Sequence, residues 1–276
     1  MRLDQAAKAT AFRDLHQRPG AFVIPNPWDA GSARILTALG FAALATTSAG
    51  LAFSLGRRDA EGAISREETL ANARAIVLAT HLPVSADLED GFGRRPEDAA
   101  ETIRQAAAVG LVGGSIEDTT ADPTRPIHEF SLAVERVVAA VEAAQGLPFP
   151  FTLTARAENF QFSRPDLDDT IARLQAFEAA GADVLYAPGL PDMAAIREVC
   201  AAVSRPVNFV SGLAGQNFTV AELAQAGVKR ISLGAALARA ALAGLVRAAR
   251  EIRDHGSFEF AGEILRFAEA NDFMAA

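Results

Sequence analysis

The sequence contains little cysteine, no concentrated positive charge and no long apolar run. Cys200 is the one cysteine among 276 residues, so an intrachain disulfide is excluded. Lys and Arg total 26 against 34 Asp and Glu, a net charge of −8, and no basic stripe suits nucleic acid. No run reaches the roughly 18 apolar residues of a membrane span, and the amino terminus has no apolar segment of the signal-peptide type. We therefore expect a soluble, cytoplasmic protein that binds neither nucleic acid nor membrane.

Short apolar runs rich in strand-forming residues recur along the chain. Hydrophobic residues make up 50% and charged residues 22%, which is ordinary for a soluble globular enzyme. Most of the runs are apolar throughout instead of alternating, as expected for strands covered on both faces. Eight strands are predicted, at 21–25, 41–47, 82–87, 112–117, 149–155, 182–187, 206–210 and 228–233.

The segments between these runs have helical periodicity and are rich in Ala, Glu and Arg. Eight β–α alternations predict one α/β domain over 1–276, a (β/α)₈ TIM barrel. The alternative is a doubly wound open sheet, but the first predicted strand lacks the glycine-rich phosphate turn that would favour it. Apolar residues over 258–274 predict an extra amphipathic helix within a carboxyl-terminal extension, 257–276. That helix could pack on its own barrel or on a partner subunit.

The third predicted strand ends in three carboxylates within four positions, at Asp87, Glu89 and Asp90. Buried strands do not normally end in clustered acids, because like charges repel and each acid resists leaving water. A divalent cation would remove the conflict, and oxygen ligands without nearby Cys or His favour Mg²⁺ over Zn²⁺. The alternative interpretation is a polar, solvated loop.

Other polar residues also fall at predicted strand ends, where the active sites of such barrels lie. Glu117 ends strand 4, Arg156 ends strand 5 and Asn208 lies in strand 7. The acids can hold a cation, and the cation and Arg156 can then grip an anionic oxygen, a layout that stabilises an enolate. Backbone N–H groups of residues 48–50 could take a carboxylate. Alternatively, Glu117 and Arg156 form a structural salt bridge and Asn208 satisfies backbone groups.

Six segments in chain order resemble the isocitrate lyase/phosphoenolpyruvate mutase superfamily. Asp87-Leu88-Glu89-Asp90-Gly91-Phe92-Gly93 corresponds to the Asp-x-Asp-x-Gly-Tyr-Gly of that family. The other matching segments are Asn26-Pro27-Trp28-Asp29-Ala30-Gly31-Ser32-Ala33-Arg34, Thr47-Ser48-Ala49-Gly50-Leu51-Ala52, Leu55-Gly56-Arg57-Arg58-Asp59, Gly114-Ser115-Ile116-Glu117-Asp118 and Thr154-Ala155-Arg156. Together they are specific for the superfamily, not for one reaction.

The resemblance implies a site, a cofactor and an assembly. It implies Mg²⁺ near Asp59, Asp87, Glu89 and Glu117, often through waters. It implies a small 2-oxo or 2-hydroxy carboxylate bound by Arg156 and by a substrate-carboxylate loop at Ser48, Ala49 and Gly50. We add Trp28 and Asn208 to the expected substrate contacts. The expected catalytic residues are Arg156, Asp59 and Glu117. The resemblance also implies a homotetramer, a dimer of dimers, whose carboxyl-terminal helix swaps between subunits.

Two departures from the family pattern limit what can be carried over. Glu89 stands where the family has its second aspartate, which keeps the oxygen chemistry but adds a methylene. The loop at 118–128 has neither the catalytic cysteine of the lyases nor the lysine of the mutases. Cys200 lies on a predicted helix and is expected to pack in the core. His128, with a pKa near 6.5, and Tyr186 are candidates to move protons; the alternatives are a helix cap and packing.

Three functions follow from these residues. The first is a Mg²⁺-dependent carbon–carbon lyase or decarboxylase that acts on a small 2-oxo or 2-hydroxy carboxylate through an enolate. The second is a phosphonate P–C mutase or hydrolase, and the third is a non-catalytic ligand-binding member of the superfamily.

Overall fold

A computed structural model describes residues 4–59, 61–120, 122–212 and 218–275. Each of the eight predicted apolar runs contains a strand, so the eight predicted strands are confirmed. Each strand has fewer residues than its run, and most run ends are irregular backbone. They are β1 (Phe22–Ile24), β2 (Leu44–Ala45), β3 (Val84–Asp87), β4 (Gly113–Glu117), β5 (Thr152–Arg156), β6 (Val184–Tyr186), β7 (Val207–Val210) and β8 (Val228–Ser232).

Helices alternate with these strands along the whole chain. Side-chain caps begin many of them; for example, Thr219 and Glu222 form the predicted capping box. None of the helices in the described ranges is long and apolar enough to cross a membrane. They are α1 (Gln5–Gln17), α2 (Ala30–Ala38), α3 (Ser48–Ser54), α4 (Arg66–Ala79), α5 (Pro96–Ala108), α6 (Phe130–Gln145), α7 (Leu167–Ala179), α8 (Met193–Ala202), α9 (Val220–Gln225), α10 (Ala236–His255) and α11 (Phe267–Met274).

The eight strands form one parallel sheet that is nearly closed as a (β/α)₈ barrel. Its order is β1-β8-β7-β6-β5-β4-β3-β2, and the backbone N–H of Ala45 donates to the Pro25 carbonyl across the remaining gap between β1 and β2. Because all strands run the same way, their carboxyl ends meet at one mouth of the barrel. The predicted fold class is confirmed.

Helix α1 covers the opposite, amino-terminal end of the barrel. Phe12 is fully buried in an apolar cluster with Ala43 and Val112, which directly precede β2 and β4 at the amino-terminal ends of the strands. The Lys8 ammonium is also buried there and donates to the Thr80 carbonyl. This end is a packed core, which leaves the other end as the place for a site.

The carboxyl-terminal segment corrects one prediction. Residues 258–274 do not form one continuous helix. A 3₁₀ turn spans Glu259–Gly262, and α11 begins only at Phe267. The carboxylate of Glu251 accepts hydrogen bonds from the Glu259 and Phe260 N–H groups, which fixes the tight turn directly after α10. In this chain α11 lies against α2, where Arg34 donates to the Met274 carbonyl.

Candidate active site

The guanidinium of Arg156, at the end of β5, holds three carboxylates at the mouth of the barrel. Its Nη1 atom lies 3.2 Å from Asp87 Oδ1 and 2.7 Å from Glu117 Oε1. Its Nε atom lies 2.6 Å from Glu158 Oε1, and the guanidinium carbon lies 4.8 Å from the centre of the Tyr186 ring. Glu117 and Arg156 are register partners on β4 and β5. The structure therefore brings together the charges that strand order predicts should meet.

Three carboxylates around one guanidinium leave an excess of negative charge. Burial, which outweighs the opposing charge of Arg156, raises the pKa of Glu117 well above its ordinary value. Burial likewise raises the pKa of Glu158 to about 7. Burial alone would lower the pKa of Arg156. The negative charges of Glu117, Glu158 and Asp87 outweigh this effect and hold the pKa of the guanidinium above its usual range. Arg156, Asp87, Glu117 and Glu158 are called the Arg156 cluster below. It consists of one fixed cation beside three acids that resist being ionised at the same time.

The acidic turn after β3 is sharply folded. Glu89 has a φ of 48°, in the left-handed region that side chains other than glycine rarely adopt. A Cβ at Gly91, where φ is 81°, would lie 3.1 Å from the Ala99 backbone, so glycine is needed there. The fully buried Arg136 holds the turn by donating to the carbonyls of Gly93 and Asp90. The turn is therefore an anchored element, which argues against the solvated-loop alternative.

The oxygen atoms of this turn suit a divalent cation. Glu89 Oε1 is buried and has no hydrogen-bond partner among the described residues. Burial, together with repulsion from Asp87, Asp90 and Asp59, raises the pKa of Glu89 to about 8. A hard cation would satisfy the orphaned oxygen and offset the repulsion. Across the described ranges, however, no three His, Cys, Asp or Glu side chains stand ready as metal ligands, since Asp87 and Glu117 contact Arg156 instead.

Residues 48–50 form the first turn of α3 and not the expected substrate-carboxylate loop. Thr47 caps α3 and accepts from the Gly50 N–H at 3.3 Å. The N–H and Oγ of Ser48 both donate to Asp87 Oδ2, at 3.2 and 2.8 Å. A Cβ at Gly50 would lie 2.6 Å from Thr47 and 2.9 Å from Trp28, so this glycine permits close packing. Ser48 therefore joins the Arg156 cluster through Asp87, while Ala49 follows it on the same turn.

Two predicted site residues lie away from the Arg156 cluster. The side chain of Trp28 lines a separate cavity of about 210 Å³ between α3 and α10. Asp59 is exposed beyond α3, yet it is near enough to raise the pKa of Glu89. The structure thus connects Asp59 to the acidic turn and does not bring Trp28 to Arg156.

Asn208 is buried inside the barrel, where its amide contacts other side chains. Its Oδ1 accepts from Arg230 Nε at 2.7 Å, and its Nδ2 donates to Ser232 Oγ at 3.0 Å. It lines a cavity of about 60 Å³ together with Arg156, Asp87, Tyr186 and Arg230. The backbone-satisfying alternative is therefore wrong for the Asn208 amide, since both of its polar atoms bond side chains.

Sequence reasoning missed two charged residues of this interior. Glu158 lies two positions after Arg156, a spacing that places both on one face of an extended chain. Arg230 is a buried residue in the middle of β8, between Lys229 and Ile231 and two positions before Ser232. An arginine inside a run predicted to be buried on both faces was the available signal.

The loop at 118–128 is anchored, and it places its histidine away from Arg156. Asp118 is buried against Arg173, with 3.0 Å between Oδ2 and Nη1. Thr119 and Ile127 form an antiparallel bridge. His128 lines another cavity, of about 510 Å³, where burial and the charges of Arg136, Arg94 and Arg173 lower its pKa to about 4. Ala121 lies outside the described residues. Helix α6 begins without a side-chain cap, so the predicted capping role of His128 is not observed.

Cys200 packs in the core, as predicted. It lies on α8, against the main apolar cluster of the barrel, and a Cβ added at Gly227 would come within 2.8 Å of the Cys200 Cβ atom. Burial raises the pKa of this thiol to about 11. A thiol of this kind is a poor proton donor or nucleophile at neutral pH.

Comparisons with known proteins match nearly the whole barrel. A family model described as phosphoenolpyruvate phosphomutase matches residues 12–253. A crystal structure from Burkholderia cenocepacia J2315, named provisionally as a lyase/mutase, is 57% identical with a TM-score of 0.96, covering 99% of this chain and 97% of that one. The 2-methylisocitrate lyase of Shewanella oneidensis is 31% identical over 70% of this chain and 67% of its own. The oxaloacetate decarboxylase of Bradyrhizobium diazoefficiens is 30% identical over 76% of each. The chain therefore belongs to the isocitrate lyase/phosphoenolpyruvate mutase superfamily, whose members are carbon–carbon lyases or mutases.

Proposed function

We propose that this chain is a Mg²⁺-dependent lyase or decarboxylase of small 2-oxo or 2-hydroxy carboxylates that works through an enolate. The observation that carries the proposal is the Arg156 guanidinium, fixed at the barrel mouth by Asp87, Glu117 and Glu158. A charged donor held rigidly in a largely dry site stabilises negative charge that develops on oxygen. Relatives that act on methylisocitrate and oxaloacetate support the same substrate class.

In this proposal Arg156 binds the oxygen at C2 of the substrate and stabilises it as the enolate forms. Its three carboxylate partners and the face of Tyr186 prevent the guanidinium from rotating away. The substrate carboxylate binds at residues 48–50, where the N–H and Oγ of Ser48 now hold Asp87. A substrate carboxylate that takes over Ser48 would therefore release an Asp87 oxygen.

Asp87, Glu89 and Glu117, with Asp59 nearby, are the residues that would hold Mg²⁺. When bound, the cation supplies Lewis-acid polarisation of the substrate oxygens. The orphaned oxygen of Glu89 supports this assignment. The longer Glu89 side chain keeps the oxygen ligand that an aspartate would give.

The loop at 118–128 argues against cleavage that depends on a catalytic cysteine. The loop contains neither cysteine nor lysine, and His128 opens onto a different cavity from that of Arg156. Decarboxylation needs less proton transfer, because Arg156 stabilises the enolate and water can deliver the proton. This favours decarboxylation over retro-aldol cleavage.

A substrate panel with and without Mg²⁺ tests the proposal. Wild-type protein would be incubated with oxaloacetate, alkylated malates and methylisocitrate, in Mg²⁺ or in EDTA. We expect turnover of at least one carboxylate in Mg²⁺ and its loss in EDTA. Equal turnover in EDTA would exclude the metal. Binding of oxalate, an enolate mimic, without turnover of any compound would favour a non-catalytic ligand-binding protein.

Phosphonate P–C chemistry is the second candidate, because the matching family model is that of a phosphomutase. The mutase-type loop with lysine is absent here, which argues against it. Incubation with phosphonopyruvate separates the two candidates. Formation of phosphoenolpyruvate, or release of phosphate, would favour the second candidate over the first.

We also propose a homotetramer, a dimer of dimers in which the carboxyl-terminal segment exchanges between subunits. Large apolar side chains are exposed on α10 and beyond it, among them Leu245, Phe258 and Phe267, the last 87% exposed. Exposed apolar side chains of this size suit a subunit interface. Light scattering of the intact chain should give four times 29.0 kDa, and Phe267→Ser should lower that mass. A monomeric wild type would contradict the proposal.

The cytoplasm is the proposed location, in keeping with enzymes that act on small soluble carboxylates. Fractionation of the source cells with an antibody to the chain would test it. Recovery in a membrane or extracellular fraction would contradict it.

A further inference from the structure

Arg230 places a second guanidinium inside the barrel. It lies at the centre of β8, in register with Phe22 on β1 and Asn208 on β7. Its Nε donates to Asn208 Oδ1 at 2.7 Å, and its Nη2 reaches β5 to donate to Thr154 Oγ1 at 2.9 Å. The residue is 6% exposed. The side chain therefore points inward and is held in one orientation by neutral groups.

This guanidinium has no acidic partner in the part of the chain that the structure describes. Its hydrogen bonds go to an amide and a hydroxyl, and its buried Nη1 atom has no partner at all. The charged and titratable groups that act on it most are Tyr186 and a second cation, Arg156. Burial lowers the pKa of Arg230 to about 10, so it still carries its charge at neutral pH. A buried cation without a counter-ion is costly, and such a charge normally has a partner.

The space beside Arg230 suits a small anion. The cavity that Arg230 lines is about 60 Å³, enough for about four water molecules or a small polar group. Water could satisfy Nη1 but would not balance its charge. A carboxylate would do both, because one of its oxygens can accept a charge-assisted hydrogen bond from Nη1 while its negative charge balances the guanidinium. Arg156 and Asp87 line the same cavity, so a group bound at Arg230 would be continuous with the proposed reaction site.

We propose that Arg230 binds a carboxylate of the substrate at the floor of this cavity, so that the substrate is a dicarboxylate with its reacting end at Arg156. This inference rests on the proposed function only in placing the reacting end of the substrate at Arg156. It assigns Arg230 as a specificity-determining residue. It also makes Asn208 a positioning residue, since its amide orients the guanidinium and does not contact the substrate.

Equilibrium binding tests this without requiring turnover. Calorimetry with the intact chain in EDTA and sodium gluconate would compare malonate, a dicarboxylate, with pyruvate, a monocarboxylate. For Arg230→Gln we expect malonate affinity to fall at least about tenfold and pyruvate affinity less than threefold. Arg230→Lys should give an intermediate malonate affinity. The matched control is Lys229→Gln, the next residue on β8, which contacts backbone carbonyls near Arg18 and should change neither affinity.

Equal losses for malonate and pyruvate, or no loss, would overturn the inference. Replacing gluconate by chloride separates the substrate from a free inorganic anion. Chloride that displaces malonate only weakly supports a substrate carboxylate, and chloride that binds more tightly than malonate overturns it. If Arg230→Gln does not fold, the Lys variant and Asn208→Asp still decide, since a built-in carboxylate beside Arg230 should abolish the preference for malonate.

The result is separate from that of the substrate panel. Arg230-dependent malonate binding without turnover of any 2-oxo acid would contradict only the proposed reaction. Turnover with unchanged selectivity in the Arg230 variants would contradict only this inference.

Discussion

The two sides of the barrel interior treat a buried arginine in opposite ways. On the β3–β5 side, Arg156 contacts three carboxylates and the acids outnumber the cation. On the β7–β8 side, Arg230 contacts an amide and a hydroxyl, and in the described ranges no carboxylate pairs with it. One side therefore has surplus negative charge and the other surplus positive charge, and both line one cavity.

This difference shows what each side lacks. On the acid-rich β3–β5 side the three carboxylates outnumber Arg156, so a second cation, a metal, would balance the charge. The basic β7–β8 side lacks an anion, which fits a substrate carboxylate. A site that stored both charges in direct contact would satisfy itself and have little affinity left for ligands. Keeping them apart leaves two complementary binding positions.

The largest expected effect follows from removing Arg156. Arg156→Met should lower turnover of the best substrate in the panel about 10³-fold, because a fixed donor to the developing oxyanion is lost. Arg156→Lys should recover little, since a single ammonium cannot contact Asp87, Glu117 and Glu158 together. Steady-state kinetics measures both.

An exposed arginine provides the control for Arg156. Arg104 lies on the outer face of α5, where it pairs with Glu101. Arg104→Met should change turnover by less than twofold relative to the wild type. If Arg156→Met kept a tenth of wild-type activity, the acid-rich side would be structural only.

The second effect concerns the pH dependence of stability on the acid-rich side. Burial raises the pKa of Glu158 to about 7 from 4.5, so between these values the folded state holds a proton that the unfolded state has lost. The contribution of Glu158 to the free energy of unfolding should therefore fall by about 3 kcal/mol as pH rises from 4.5 to 7. Urea unfolding at pH 4.5 and 7.5 measures it.

Glu158→Gln removes the titrating carboxyl group and should therefore abolish its contribution to the pH dependence of the free energy of unfolding. Glu97→Gln, an exposed glutamate of α5, is the matched control and should leave the slope unchanged. If wild type and Glu158→Gln differ by the same free energy at both pH values, Glu158 is ionised throughout and the excess of negative charge is overstated.

The third effect tests the basic side by giving Arg230 an acid. Asn208→Asp keeps the shape and adds a charge 2.7 Å from Arg230 Nε, so the free energy of unfolding should rise by about 1 kcal/mol. The matched change on the acid-rich side is Asn159→Asp. Asn159 Nδ2 donates to Asp169 at 2.7 Å, so a carboxylate there should destabilise the fold.

Thermal and urea unfolding of the two variants compare the sides directly. Opposite signs would confirm that the two sides differ in charge balance. Destabilisation by both would mean that an unrecognised group already balances Arg230.

How far the sequence could predict this molecule depended on where the charges lie. Strands buried on both faces are uninterrupted apolar runs in the sequence. Charged residues at the ends of such runs are easily recognised, and Asp87, Glu117 and Arg156 are predicted on this basis. Arg230 lies within a run, and only barrel closure shows that it reaches Thr154, 76 positions earlier in the chain.

Two predictions from local sequence differ from the structure, one at residues 48–50 and one at 258–274. Thr47 is a helix N-cap, so the substrate loop expected at 48–50 is the first turn of α3. The apolar periodicity of 258–274 predicted one helix, but the hydrogen bonds from the Glu251 carboxylate to the following backbone interrupt it. Such a contact depends on tertiary geometry that periodicity does not contain.

The smallest expected effect lies at the boundary between the two sides, at Tyr186. Its ring faces Arg156, and burial raises the pKa of its phenol above the ordinary value, so it stays protonated at working pH. Tyr186→Phe keeps the ring and should change the free energy of unfolding by less than about 0.5 kcal/mol and turnover by less than threefold. Tyr186→Leu removes the cation–π contact and should cost about 1 kcal/mol. A 100-fold loss of kcat in the Phe variant would instead identify the phenol as the proton donor that the loop at 118–128 does not supply.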